Sequence, residues 1–191
     1  MKFHFIGLFA LIMLTANLEA QHVNIGIKGG LNVYTLNNDN DADADFKAGF
    51  HAGLLGHIHI KDQFALQPEL VFSVQGAGNP NNDSYLNLNY INIPVLFQYM
   101  FDNGFRLQAG PQLGLLLSAK LKDGDSTTDR KDNYKSIDLG LGLGASYVHP
   151  PTGYGVDVRY NHGLSNINAE GSVNTTNSGI QIGVFYLFGH R

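Results

Sequence analysis

Tyr154-Gly155-Val156-Asp157-Val158-Arg159-Tyr160-Asn161-His162-Gly163-Leu164 alternates with a period of two. Tyr154, Val156, Val158, Tyr160 and Leu164 share one face; Gly155, Asp157, Arg159, Asn161 and Gly163 share the other. That is the signature of a β-strand between two unlike environments, not of a helix. The same pattern spans 137–147, where Ile137, Leu139, Leu141, Leu143, Ala145 and Tyr147 oppose Asp138, Gly140, Gly142, Gly144 and Ser146. It spans 105–119 as well, with Phe105, Leu107 and Ala109 against Arg106, Gln108 and Gly110.

Working outward, eight such segments are expected, near 23–36, 45–60, 64–75, 84–100, 104–120, 134–148, 153–166 and 178–188. Each is long enough for a tilted strand crossing a bilayer, which needs ~9–11 residues. The links alternate in length. Short turns fall at 61–63, 102–104 and 149–153, and longer polar links at 37–44, 76–83, 121–133 and 167–177. Short turns on the periplasmic side and long loops outside are the habit of outer-membrane barrels, and an even strand number returns both termini to the periplasmic side.

Aromatic residues sort along the same axis. Phe64, Tyr99, Phe105, Tyr147, Tyr154, Tyr186 and Phe188 fall at the short-turn end of the apolar face; Phe46, Tyr85 and Tyr160 fall at its loop end. Two aromatic girdles are what a lipid-facing wall requires. Tyr34 and Tyr134 have the wrong parity for a girdle. A secreted soluble barrel would turn the apolar face inward, but it has no need of aromatic rings at both ends of that face.

Composition narrows the function. The 191 residues carry a net charge of −4, which argues against a nucleic-acid module with its basic stripe. There is no cysteine, so disulfides, thiolate metal sites, a cysteine nucleophile and a lipidated cysteine are excluded. Residues 1–20 read as a signal peptide: Lys2, an apolar run from Phe5 to Ala16, and small Ala20 before the expected cleavage point. The run is too short to span ~30 Å of hydrocarbon. Residues 21–191 then form one barrel domain, exported to the outer membrane.

The chain's last strand, Gln181-Ile182-Gly183-Val184-Phe185-Tyr186-Leu187-Phe188, resembles the C-terminal signal read by outer-membrane barrel-assembly machinery, with Gly183, Tyr186 and Phe188 as its marks. Leu66-Gln67-Pro68-Glu69-Leu70-Val71-Phe72-Ser73, Leu88-Asn89-Tyr90-Ile91-Asn92-Ile93-Pro94-Val95-Leu96 and Leu107-Gln108-Ala109-Gly110-Pro111 are similar to the PorT-type, porin-like family of small outer-membrane β-barrel proteins. Asp138-Leu139-Gly140 and the Arg159-Tyr160 strand extend the likeness over the whole exported part. The resemblance implies a gram-negative outer membrane and a barrel, and one branch of that family is associated with protein secretion. It implies no single activity.

Several constellations bear on chemistry. Lys28, Lys47, Glu69, Arg106, Asp138, Asp157 and Arg159 lie on the polar face, and eight strands enclose only enough room for side chains. A paired, structural charge network filling the lumen is therefore expected, with a narrow pore as the alternative. His51, His57 and His59 share that face and read as polar filler, since a metal site needs three or four converging ligands. Asp39, Asp41, Asp43 and Asp45 form an acidic loop that is a weak cation candidate, without the glycine and glutamate of a calcium loop. His162 and Ser165 differ in parity and cannot share a proton directly, so no catalytic site, metal or cofactor is expected. Pro68, Pro94 and Pro111 sit inside strands of a sheet that has no free edge, and bulges are expected there.

The expectation is an all-β, eight-stranded antiparallel transmembrane barrel, monomeric, acting through its external loops on a surface or periplasmic partner. A solute conduit or an accessory barrel of a secretion system is the alternative.

Overall fold

A computed structural model describes residues 23–39, 44–79, 83–171 and 173–189. The leader, Asp41 and Asp43 lie outside the described residues. The strands are β1 (Val23–Asn38), β2 (Lys47–Lys61), β3 (Phe64–Gly78), β4 (Tyr85–Met100), β5 (Phe105–Asp123), β6 (Ser126–Asp129), β7 (Ile137–Val148), β8 (Tyr154–Gly163) and β9 (Thr175–Leu187), with a 3-10 turn at Lys131–Asn133. Neighbours pair antiparallel, β5 passes over β6 to pair with β7, and β9 returns to β1. The result is a closed barrel of eight strands, with β6 as a short hairpin partner on the end of β5. Closure leaves no sheet edge in the wall, which is what allows strands to cross hydrocarbon.

The two faces differ as the alternation requires. On β7, Leu143 is 65% exposed on the outside, while Arg159 beside it on β8 is 1% exposed in the lumen. The short-turn girdle is a set of ring contacts: Phe64 stacks on Phe97 at 5.4 Å, Tyr99 meets Phe101 edge-on at 4.9 Å, and Tyr186 links Tyr154 and Phe188 at 4.6 and 5.1 Å.

The prolines do not make bulges. Between β2 and β3 the pairing Leu55↔Glu69 resumes as Ile58↔Leu66 in unchanged register, so Pro68 interrupts the ladder without adding a residue. Pro94 does the same between β3 and β4, and Pro111 between β4 and β5. On its other side each proline stays paired, with Val95, Gln112 and Leu141 respectively. A proline removes one N–H, and so breaks bonding only toward the strand that N–H would face. Here that is always the preceding strand. Register shifts occur instead between His59 and Lys61 on β2, and opposite Asn89 and Tyr90, where Leu117 is the extra residue of β5.

The lumen has three layers. Leu55, Val148, Phe185 and Leu187 close the short-turn end as an apolar plug. Gly155 makes room for it, since a Cβ there would lie 2.2 Å from the Phe185 ring. The middle is polar and charged. A second apolar plug fills the loop end, where Leu36, Leu88, Tyr90, Leu116, Ala119 and Ile167 pack together with Tyr134 against them.

Candidate functional site

The polar middle is built around Glu69. Its carboxylate accepts two bonds from Arg159, Nη1 to Oε2 at 2.9 Å and Nη2 to Oε1 at 2.7 Å, in the bidentate geometry that suits a guanidinium. Lys28 Nζ lies 3.3 Å from Glu69 Oε2 and 3.3 Å from Asp157 Oδ2. All four side chains are almost completely buried. Two cations and two anions balance, which is the condition under which charge survives burial.

Neutral groups extend this cluster toward the short-turn end. Gln67 donates to Glu69, Gln98 Nε2 bonds both Gln67 Oε1 and Gln108 Oε1, and His57 Nδ1 meets Gln98 Oε1 at 3.1 Å. Toward the loops, Asn32 bonds His51 and Ser73, and Asn161 donates to the Tyr34 hydroxyl at 3.0 Å. The parity of Tyr34, wrong for a girdle, is right for this network.

Lys28, Glu69, Asp157 and Arg159 are thus brought together. The other three expected members stand apart. Arg106 lies 3.4 Å from His57 near the short-turn end. Asp138 accepts from Ser165 at 2.7 Å near the loop end. Lys47 sits beside the Tyr85 ring at the rim, 5.9 Å from its centroid.

The three histidines are held by different partners: His51 by Asn32 and His57 by Gln98, with His59 edge-on to His57. Among the described residues no three acidic or histidine side chains gather as metal ligands. Asp39 accepts from Asn174 and Asp45 bridges Gly78, so the two described acids of the loop engage separate elements. Ser165 is occupied with Asp138. Sequence reading overlooked Ser178, whose Oγ is 3.4 Å from His162 Nδ1 and also receives the Gly163 N–H. That hydroxyl and ring lack a bonded carboxylate among the described residues and form no activated nucleophile.

At the loop end the strands change character. On β4 the side chains of Leu86, Leu88 and Tyr90 are buried inside, and Asn87 and Asn89 face out. From Ile91 onward the order reverses: Ile91, Ile93, Val95 and Phe97 face out, and Asn92 and Gln98 face in with Pro94 and Leu96. On β5 the extra residue Leu117 resets the phase, so Leu116 and Ala119 stay inside while Ser118, Lys120 and Lys122 face out. Asn89 donates to Ser118 across the outer surface at 2.9 Å.

The loops above are tied together by main-chain bonds. Lys135 N donates to Ile167 O at 2.7 Å, Ala169 N to Asn133 O at 2.9 Å, and Arg130 N to Ala119 O at 2.9 Å. Ile167, from the last loop, is fully buried in the plug. Burial against that plug pushes the Tyr134 phenol above its ordinary pKa, with Arg130 partly opposing.

A wall that is apolar outside and charged inside, closed on itself, matches a known sequence family: the profile of the outer membrane protein β-barrel domain covers residues 16–169. The chain belongs to that family. Solved outer-membrane barrels share its fold. Neisserial surface protein A is 17% identical with a TM-score of 0.61, over 86% of this chain and 98% of that one. Ail, the attachment invasion locus protein of Yersinia pestis, solved in complex with the heparin analogue sucrose octasulfate, is 14% identical with a TM-score of 0.56, over 87% and 99%. No curated protein sequence matches the chain. As an outer-membrane β-barrel, the protein crosses the bilayer with strands; no described helix is long and apolar enough to do so.

Proposed function

We propose that this barrel is a monomeric, non-catalytic envelope protein that anchors a folded external rim, and that the rim, not the lumen, makes its functional contacts. The observation that carries the reading is the reversal of polarity on β4 and β5. Above it the strands enclose an apolar core of their own, β4 and β5 present a polar outer surface, and the segments around Arg130–Lys135 and Ile167–Ala169 brace them. A rigid platform of this kind presents a fixed surface to a partner at little ordering cost. The lumen below it is charged, neutralised and stoppered at both ends, which does not suit a solute path.

Export through a leader cleaved after Ala20, and insertion by the assembly machinery reading Gly183, Tyr186 and Phe188, complete the proposal. Tyr186 and Phe188 join the lipid-facing girdle, as a recognised last strand requires. The stretches that carry the PorT-type likeness fall on β3, β4 and β5, with Asp138-Leu139-Gly140 on β7 and Arg159-Tyr160 on β8. The test is a deletion strain of the source bacterium, complemented with the intact chain or with a variant whose 124–133 hairpin is replaced by a short turn. Altered surface adhesion or envelope integrity, restored by the intact chain alone with an unchanged set of secreted proteins, is the expected result. Loss of secreted cargo would overturn it in favour of an export accessory.

A further inference from the structure

On the outer side of the wall the pairing of β2 with β3 lapses near the loop end. The ladder stops at His51↔Ser73, and the two segments meet again at the bridge Asp45↔Gly78. Over that stretch β2 stays paired with β1 and β3 with β4. The Asn32 amide bonds Phe50 O at 3.3 Å and Val74 O at 2.8 Å, taking up two carbonyls that the ladder leaves. Along the unpaired stretch runs an open groove of about 530 Å³, lined by Phe46, Lys47, Phe50, Val74 and Tyr85 among others.

Its two sides are unlike. On the β2 side Phe46 is 74% exposed and Phe50 52%, in line with the lipid-facing Leu54. Val74 pairs with Asn89, so on the other side the groove lies where β4 and β5 have already turned a polar face outward. There two cations converge on one ring: Lys47 Nζ is 5.9 Å and Lys122 Nζ 5.8 Å from the Tyr85 centroid. Asp45 and Asp83 also line the groove, but among the described residues neither forms an ion pair with these lysines.

The groove is thus apolar where it joins the lipid-facing wall and cationic beside it, at the height of the outer aromatic girdle. Aromatic girdles sit at the headgroup level of a bilayer. A soluble anion would leave Phe46 and Phe50 in water, and an uncharged lipid would leave the lysines unused. A phosphate suits two ammonium groups on flexible stems, which bind it as point charges. The carboxylates of Asp45 and Asp83 suit hydroxyl donors, as a sugar supplies. We propose that this groove seats the phosphorylated sugar headgroup of an outer-leaflet lipid. The phosphate lies beside Tyr85, between Lys47 and Lys122, and the acyl chains run down past Phe50 and Val74. The site is lateral and does not depend on what the rim above it contacts.

The experiment is native mass spectrometry of the folded protein released from nonionic detergent micelles. The probes are a monophosphorylated glucosamine lipid, the same lipid after phosphatase treatment, and soluble glucosamine 1-phosphate. The expected result is one phosphorylated lipid retained per barrel, with retention falling about tenfold or more when the phosphate is removed. Lys47→Gln combined with Lys122→Gln should cause a similar fall, while Lys61→Gln, at the short-turn end of β2, should leave retention unchanged. Equal retention of the dephosphorylated lipid, or undiminished retention by the double variant, would overturn the proposal. So would displacement of the lipid by an equal concentration of glucosamine 1-phosphate, which would make this a site for soluble anions. Should the double variant not fold, the three probes on the wild-type protein still decide.

Discussion

The two ends of β4 are one strand in two solvents. From Tyr85 to Tyr90 the leucines point inward and the asparagines outward, as in a water-soluble barrel. From Ile91 to Met100 Ile91, Ile93, Val95 and Phe97 point outward, as lipid demands, and Asn92 and Gln98 inward beside Pro94 and Leu96. Nothing about backbone geometry changes between them; what changes is which face is wet. The reversal marks where the wall leaves hydrocarbon, and on β5 it coincides with the bulge at Leu117. A bulge is the device that lets a period-two strand exchange faces without breaking its pairing.

Substitutions on either side of that boundary should behave differently. The largest effect is expected deep below it. Glu69→Ala leaves Arg159 and Lys28 buried without their shared carboxylate, at a cost of about 3–5 kcal/mol, read as a lower unfolding midpoint or a loss of the heat-modifiable folded band in detergent. Above the boundary, Leu88→Ala should cost about 2–5 kcal/mol, the price of a cavity in an ordinary core. Ile93→Ala, on the same strand but facing lipid, should cost clearly less by the same assay; equal losses would remove the distinction. A charge probe sharpens the line. Val95→Lys should cost about 2–4 kcal/mol near the bilayer middle, whereas Asn89→Lys, facing water, should stay within about 0.5 kcal/mol.

The smallest effect concerns dynamics. Amides beside the interrupted ladders, such as Gly56 and Leu70, should exchange faster than those of Leu141 and Leu143 on β7, whose pairing with β5 is continuous. Uniform protection through both regions would show that the proline gaps do not weaken the wall.

The barrel was legible in the sequence because a strand between lipid and a polar interior writes its alternation over ten or more residues, as at 154–164. Lys28, Glu69, Asp157 and Arg159 were legible by parity, since charge on the inner face has nowhere else to go. Which charges pair was not, because Arg106 and Lys28 share that face but sit at different heights set by strand stagger. Bulges were expected at the prolines because a missing donor and an extra residue both disrupt a ladder; the chain keeps its register with the donor simply absent. The loop-end plug was present in the sequence as a phase reversal at Tyr90-Ile91, but within one long alternating segment both phases look alike. Ile167 carried no signal, being a lone apolar residue in a polar loop that only the fold turns inward.

The central claim, a lumen neutralised in the middle and stoppered at both ends, is tested most directly by planar-bilayer recording of the refolded protein beside its Arg159→Ala variant. A sealed lumen predicts no steady channel for either, with the variant less stable but still closed by the plugs at Phe185 and Ile167. Reproducible steady openings of the wild-type barrel would contradict it and make the lumen, not the rim, the working part of the molecule.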